Sequence, residues 1–188
     1  MLYVDKTAYL HRLVTSPDGK CFFLARPRRF GKSLMITTLK EIFNGRKDLF
    51  EGLAIAKTDF EWKKHPVLHF NFGFAAAATS YEQFESMLND EIERALGEVG
   101  CEFDPRRAPG SNFARAIDAL AAKAMRGEGE LPVILVDEYI IPIGFRALRS
   151  LTSKALSRTA PSRSGSIARR SPRFSMFISI DARPVFDQ

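Results

Sequence analysis

Eight consecutive residues near the front of the chain, Arg26-Pro27-Arg28-Arg29-Phe30-Gly31-Lys32-Ser33, follow the apolar run Cys21-Phe22-Phe23-Leu24-Ala25 and precede a stretch of helical periodicity. A buried strand that ends in Gly-Lys-Ser and turns into a helix aims backbone N–H groups, an ammonium and a hydroxyl at one small volume. That is the chemistry of a phosphate cradle. Gly31 lets the backbone approach a phosphate with no Cβ in the way, Lys32 reaches the β and γ phosphates, and Ser33 offers its hydroxyl to Mg2+. Arg28 and Arg29 add positive potential to the loop, and Phe30 and Leu34 flank the tripeptide as further members of the cradle. The Walker A pattern is Gly-x-x-x-x-Gly-Lys-[Ser/Thr], and here Arg26 holds the place of the first glycine. Taken alone, Gly-Lys-Ser fits a basic surface turn that caps a helix equally well, so the context decides.

About a hundred residues on, Leu131-Pro132-Val133-Ile134-Leu135-Val136-Asp137-Glu138 is a β-branched apolar run that ends in two carboxylates. It predicts a buried parallel strand with the acids at its C-terminal tip, a Walker B pattern. Asp137 there can hold Mg2+ through water, and Glu138 can orient or deprotonate an attacking water. A solvated acidic turn after a strand is the plain alternative, and two such elements in this order favour the nucleotide site. Lys32 and Glu138 are thus the candidate catalytic residues, and Ser33 and Asp137 the candidate metal ligands.

The elements that must position these groups alternate along the chain. Tyr3 to Thr15 predicts a helix with Leu10, Leu13 and Val14 on one face, followed by a turn at Ser16-Pro17-Asp18-Gly19. A strand at 21–25 and a helix from about Lys32 to Phe43 follow, with Met35, Leu39, Ile42 and Phe43 as its buried stripe. A second strand covers 67–72. A helix at 81–96 carries Phe84, Leu88, Ile92 and Leu96 four apart, and a loop with Pro105, Pro109 and Gly110 leads to a helix at 112–126. This is an α/β pattern: a P-loop NTPase-like parallel sheet flanked by helices, with ligands at the carboxyl ends of the strands. An acid-pair P-loop ATPase needs one more strand, for which 174–180 is the candidate. A helix at 145–157 and a solvated Ser/Arg/Pro-rich linker at 158–173 would precede it.

Several phrases together resemble the predicted AAA-ATPase-like family of bacteria and archaea, whose members often carry a PD-(D/E)XK nuclease-like domain downstream. They are Tyr3-Val4-Asp5-Lys6-Thr7, the block from Arg26 to Leu34, the run from Leu39 to Leu53, His65-Pro66-Val67-Leu68-His69-Phe70-Asn71-Phe72, and Val133 to Tyr139. The resemblance covers about residues 3 to 143 and explains why Arg26 can stand where glycine is usual. It implies ATP rather than GTP as the nucleotide, with Mg2+. Two departures stand out: Ile140 and Ile141 occupy places where the family carries Asp and a basic or small residue, and Asn71 stands where Asp is usual. Each removes a carboxylate near the strand tips, so the expectation is an ATP-binding module with weak or absent turnover. The chain reads as truncated after the Walker B strand and incomplete at its C-terminus; without the nuclease-like region it is not expected to cut nucleic acid.

Composition bounds the rest. At 188 residues, 45% of them apolar and 27% charged, the chain is large enough for one core. No run reaches a membrane span and no apolar signal core opens the chain. Two cysteines, Cys21 and Cys101, and scattered histidines make a disulfide framework or a zinc site a poor reading, which leaves a reducing cytoplasm as the default. Residues 1–145 hold 19 Lys and Arg against 20 Asp and Glu, while 146–188 hold 9 against 2, so the net charge of +6 belongs to the tail. The chain therefore divides into a P-loop body at 1–145 and a basic, partly disordered tail at 146–188. The competing reading is a non-catalytic remnant whose tail binds nucleic acid by charge alone, without the aromatic platforms of single-strand binders. The abrupt change in composition also suggests a tail in an altered reading frame; an in-frame match of intact relatives through residue 188 would refute that.

Overall fold

Buried β-branched strands separated by amphipathic stretches must hide both sheet faces under helices. The computed structural model, which describes residues 4–16, 21–25, 31–137 and 176–181, is built this way. Its elements are α1 (Thr7–Val14), β1 (Cys21–Ala25), α2 (Lys32–Phe43), β2 (Val67–Asn71), α3 (Tyr81–Glu98), α4 (Pro109–Met125), β3 (Val133–Asp137) and β4 (Met176–Asp181). Short 3-10 turns lie at Lys47–Phe50, Ala54–Lys57 and Phe72–Ala76. The strands pair in the order β1-β4-β3-β2, all parallel. The last of the described strands therefore sits inside the sheet, between the strand that precedes α2 and the strand bearing Asp137. The helix expected at 145–157 and the linker at 158–173 lie outside the described residues.

Strand alternation sorts the core into two layers. Leu68, Phe70, Ile134 and Val136 face one way, onto Phe84, Leu88, Ile92 and Leu96 of α3 and Phe113, Ile117 and Leu120 of α4. Val67, Val133 and Leu135 face the other way, onto Leu10 of α1 and Ile36, Leu39, Ile42 and Phe43 of α2. The stripe of α2 differs from the expected one: Ile36 is fully buried, and Met35 packs only at the margin. Spacings of four, seven and eleven put Lys32, Ile36, Leu39 and Phe43 on one helical face, so the buried stripe starts with the lysine.

The ends of the helices follow from local chemistry. α2 stops at a left-handed Gly45 (φ 73°), whose N–H donates to the Ile42 carbonyl while Arg46 N–H donates to that of Glu41, a Schellman closure. A Cβ on Gly45 would meet the Trp62 carbonyl oxygen at 3.0 Å, so glycine is required twice over. Ser80 caps α3 by accepting the Gln83 N–H at 3.1 Å. α4 begins at Pro109, earlier than expected, because proline is at ease in a first turn whose N–H has no helical partner anyway.

α1 begins later than expected, because Asp5 and Thr7 are engaged elsewhere. Asp5 Oδ1 accepts the Thr7 N–H at 2.8 Å and the Thr7 hydroxyl at 2.7 Å, and Asp5 Oδ2 accepts the Ala54 N–H at 2.8 Å. The fully buried Thr7 hydroxyl oxygen in turn accepts the Ile55 N–H at 3.1 Å. These two side chains latch the N-terminal segment onto the 3-10 turn at Ala54–Lys57. Desolvation pushes the Asp5 carboxyl up, but the hydrogen bonds from Thr7 and Ala54 and the Lys57 charge outweigh it and hold the carboxyl below its ordinary range. A depressed carboxyl contributes stability above its unfolded pKa, about 3.9, that is lost as pH falls through the folded value. Asp5→Ala should therefore cost about 1–2 kcal/mol in urea denaturation at pH 7, shrinking toward zero in acid. A pH-independent cost would refute the ionised latch.

Candidate functional site

The carboxyl ends of the parallel strands form one edge, where Ala25, Asp181, Asp137 and Asn71 end β1, β4, β3 and β2. Because α2 follows β1, its N-terminus lies at the same edge. There Gly31 adopts a left-handed conformation (φ 71°, ψ 31°), and its carbonyl accepts the Met35 N–H at 3.0 Å to start the helix. Having no side chain, Gly31 cannot cap α2. The first-turn amides through Leu34 lack intrahelical acceptors, and the helix dipole adds positive potential in front of them. Further in, the Thr37 and Thr38 hydroxyls donate to the Ser33 and Leu34 carbonyls at 2.6–3.0 Å.

Lys32 is only 9% exposed, since it continues the buried stripe of Ile36 and Leu39, and it forms no ion pair with another described residue. Ser33 and Leu34 point outward, Leu34 with 57% exposure. Across the edge, Asp137 is 3% exposed. Its parity matches that of Val133 and Leu135, so its carboxylate is on the α2 face of the sheet, the face on which Lys32 lies. Gly31, Lys32, Ser33, Leu34 and Asp137 are thus gathered at one end and one face. Arg28, Arg29, Phe30 and Glu138 lie outside the described residues, as does Arg26.

An oxygen donor at a strand tip and a hydroxyl at the helix start suit a hard cation such as Mg2+, which takes one or two protein oxygens and completes its shell with water and phosphate. Among the described residues no group of three His, Cys, Asp or Glu could enclose a metal unaided.

A second polar group lies at this edge, of which sequence reasoning singled out Asn71 and missed Glu91 and Arg94. Asn71 pairs in register with Asp137, and its Oδ1 accepts the Gly73 N–H at 2.9 Å. With His69, Gly73, Phe74, Glu91 and Arg94 it lines an open cleft of about 740 Å3. Burial lowers the His69 pKa, as do the Lys40 and Arg94 charges, against weaker opposition from Asp137 and Glu91. His69 has its Nε2 buried without a hydrogen-bond partner among the described residues. The legible signal for Glu91 and Arg94 was their i,i+3 opposite-charge spacing on a predicted helix.

A family model described as "Predicted AAA-ATPase" matches residues 1–159. The chain is also similar to an "Uncharacterized protein in vnfD 5'region" of Azotobacter chroococcum mcd 1, at 36% identity over 160 residues, 83% of this chain. Those residues make up 28% of that relative, so the chain spans under a third of its length. No solved structure matches. Among the described residues no helix is long and apolar enough to cross a membrane.

Among the described residues a Cβ added at Gly31 would meet nothing within 4 Å, so within the fold itself glycine is required there for its left-handed conformation. Gly31→Ala should cost about 1–2 kcal/mol of stability through the left-handed backbone, and Gly31→Asn distinctly less. Equal losses in urea denaturation would contradict this assignment.

Proposed function

The chain belongs to the predicted AAA-ATPase-like family, and from that premise we propose that it is an ATP-binding P-loop module in which residues 26–34 cradle the phosphates. The observation that carries the reading is the left-handed Gly31 opening α2 with a buried Lys32 behind it, on the sheet face and edge that also hold the buried Asp137. In this proposal the amides of 31–34 and the Lys32 ammonium neutralise phosphate charge, and Arg28, Arg29 and Phe30 complete the loop. Ser33 and Asp137 would hold Mg2+, which would supply neutralisation of phosphate charge. Lys32 is buried at the head of the α2 face that carries Ile36 and Leu39, so it has less conformational freedom to lose in doing this.

The insertion of β4 between β1 and β3 further supports a P-loop NTPase fold, since it supplies a strand between the cradle strand and the acidic strand. In this reading residues 1–145 form the nucleotide-binding body, and the basic region at 146–188 contributes that strand. Hydrolysis rests on Glu138 as the residue that orients water. With Asn71 beside Asp137 in place of a second carboxylate, we place turnover well below binding in importance.

A ligand that binds only the native state must stabilise it, by about 2.7 kcal/mol at a hundred times its dissociation constant. Mg-ATP should therefore raise the melting temperature of the wild-type chain by several degrees, and Lys32→Ala should lose most of that rise. Asp137→Asn should keep the shift with ATP alone and lose the increment added by Mg2+. Equal shifts for wild type and Lys32→Ala would rule out the cradle.

A further inference from the structure

β2 stands at one end of the order of described strands, so the outward backbone groups of His69 and Asn71 have no neighbouring strand among them. Such an edge is a template for another chain. Here α3 fills it with side chains. Arg94 Nη2 donates to the His69 carbonyl at 2.7 Å, and Glu91 Oε1 accepts the Asn71 N–H at 2.6 Å. A carbonyl at one residue and an N–H two residues on are the pair that a parallel neighbour would engage. The guanidinium and carboxylate that engage them are themselves joined, Nη2 to Oε1 at 2.7 Å and Nε to Oε2 at 2.9 Å. Glu98 then binds Arg94 Nη1 at 2.5 Å and Lys40 of α2 at 2.9 Å. Since α3 and α2 cover opposite sheet faces, this chain of charges wraps around the edge.

We propose that Glu91 and Arg94 act as a side-chain surrogate for a neighbouring strand, closing the β2 edge against strand addition by a second copy of this chain. The second copy is the occupant the observations favour. The uncovered groups would face an identical donor and acceptor row, flanked by Val67, Leu68, Phe70 and Phe72, a strongly β-forming run. An ion pair that merely tied α3 to α2 would not need to match the polarity of the strand edge, whereas this one places its cation on the carbonyl and its anion on the N–H.

The test uses the full chain and compares wild type with Glu91→Ala/Arg94→Ala, Arg94→Lys and the reversed pair Glu91→Arg/Arg94→Glu. Sedimentation velocity over a concentration series reads self-association, and amide exchange at low concentration reads the Asn71 N–H. The alanine pair should exchange Asn71 about tenfold faster, the loss of one hydrogen bond, while the inward Phe70 amide keeps its protection. It should also self-associate at least tenfold more tightly than wild type. The reversed pair restores the ion pair but sets like polarity against the strand, so it should behave as the alanine pair does. Arg94→Lys keeps the charge but loses the fork, so it should fall between, and it serves if the double variants fail to fold. His69→Pro in the alanine background removes an outward N–H without touching the inner ladder, and should return self-association to the wild-type level. Unchanged Asn71 exchange and association in the alanine pair or Arg94→Lys, or a reversed pair indistinguishable from wild type, would overturn the proposal.

Discussion

The packing of α2 on the β2–β3 face is the constraint from which the rest follows. Ile36, Leu39 and Ile42 are fully buried against Val133, Leu135 and Val67, and this contact fixes both the position and the rotation of the helix. Rotation matters because Lys32 lies on the same helical face as these residues. Burying the stripe therefore also turns the lysine inward, toward the face that carries Asp137. A cation at that position is costly to desolvate unless it meets opposite charge, which in the proposed function a phosphate anion at the helix start would supply. The core and the cradle are in this sense one arrangement, read at two ends of one helix.

Polar side chains fasten this arrangement at its margins, each by satisfying backbone groups that would otherwise lack partners. Asp5 and Thr7 hold the N-terminal segment by taking the amides of Ala54 and Ile55, so a family phrase near the start of the chain has a structural account. At the far margin Glu91 and Arg94 hold β2 at His69 and at its last residue, Asn71, which pairs in register with Asp137. His65 adds a third fastening, its Nδ1 against the Leu131 carbonyl at 2.9 Å and its N–H on the Phe43 carbonyl at 2.7 Å, tying the end of α2 to the entry of β3. The cost of a missing partner is greatest where the backbone group is buried, as at the Ile55 N–H, and smaller at the exposed groups of Ala54, His69 and Asn71.

Much of this was legible from residue order. The strand, glycine, lysine and helix at 21–43, the apolar run into Asp137, and the four-apart stripe of α3 all rest on local periodicity, which a one-dimensional reading can detect. Misreadings arose where local rules have two outcomes. Pro109 and Gly110 suggested a loop, yet proline opens α4; Met35 suited the stripe as well as Ile36 until packing chose the β-branched residue. The start of α1 moved because Asp5 and Thr7 found partners some fifty residues away, which no local pattern encodes.

What the sequence determined by itself was an order of residues: a glycine that opens a helix, a lysine and serine behind it, and an acid at a strand tip, the order the proposed phosphate site requires. It also determined family membership, because those phrases are specific as strings. Only the tertiary structure decided that Lys32 and Asp137 share a face, that β4 enters between β1 and β3, and that Glu91 and Arg94 close an edge. These depend on strand parity, helix rotation and sheet order, quantities set by burial on two faces at once. Residues far apart in the chain meet only when both faces are covered, so their meeting is a property of the fold and not of any segment within it.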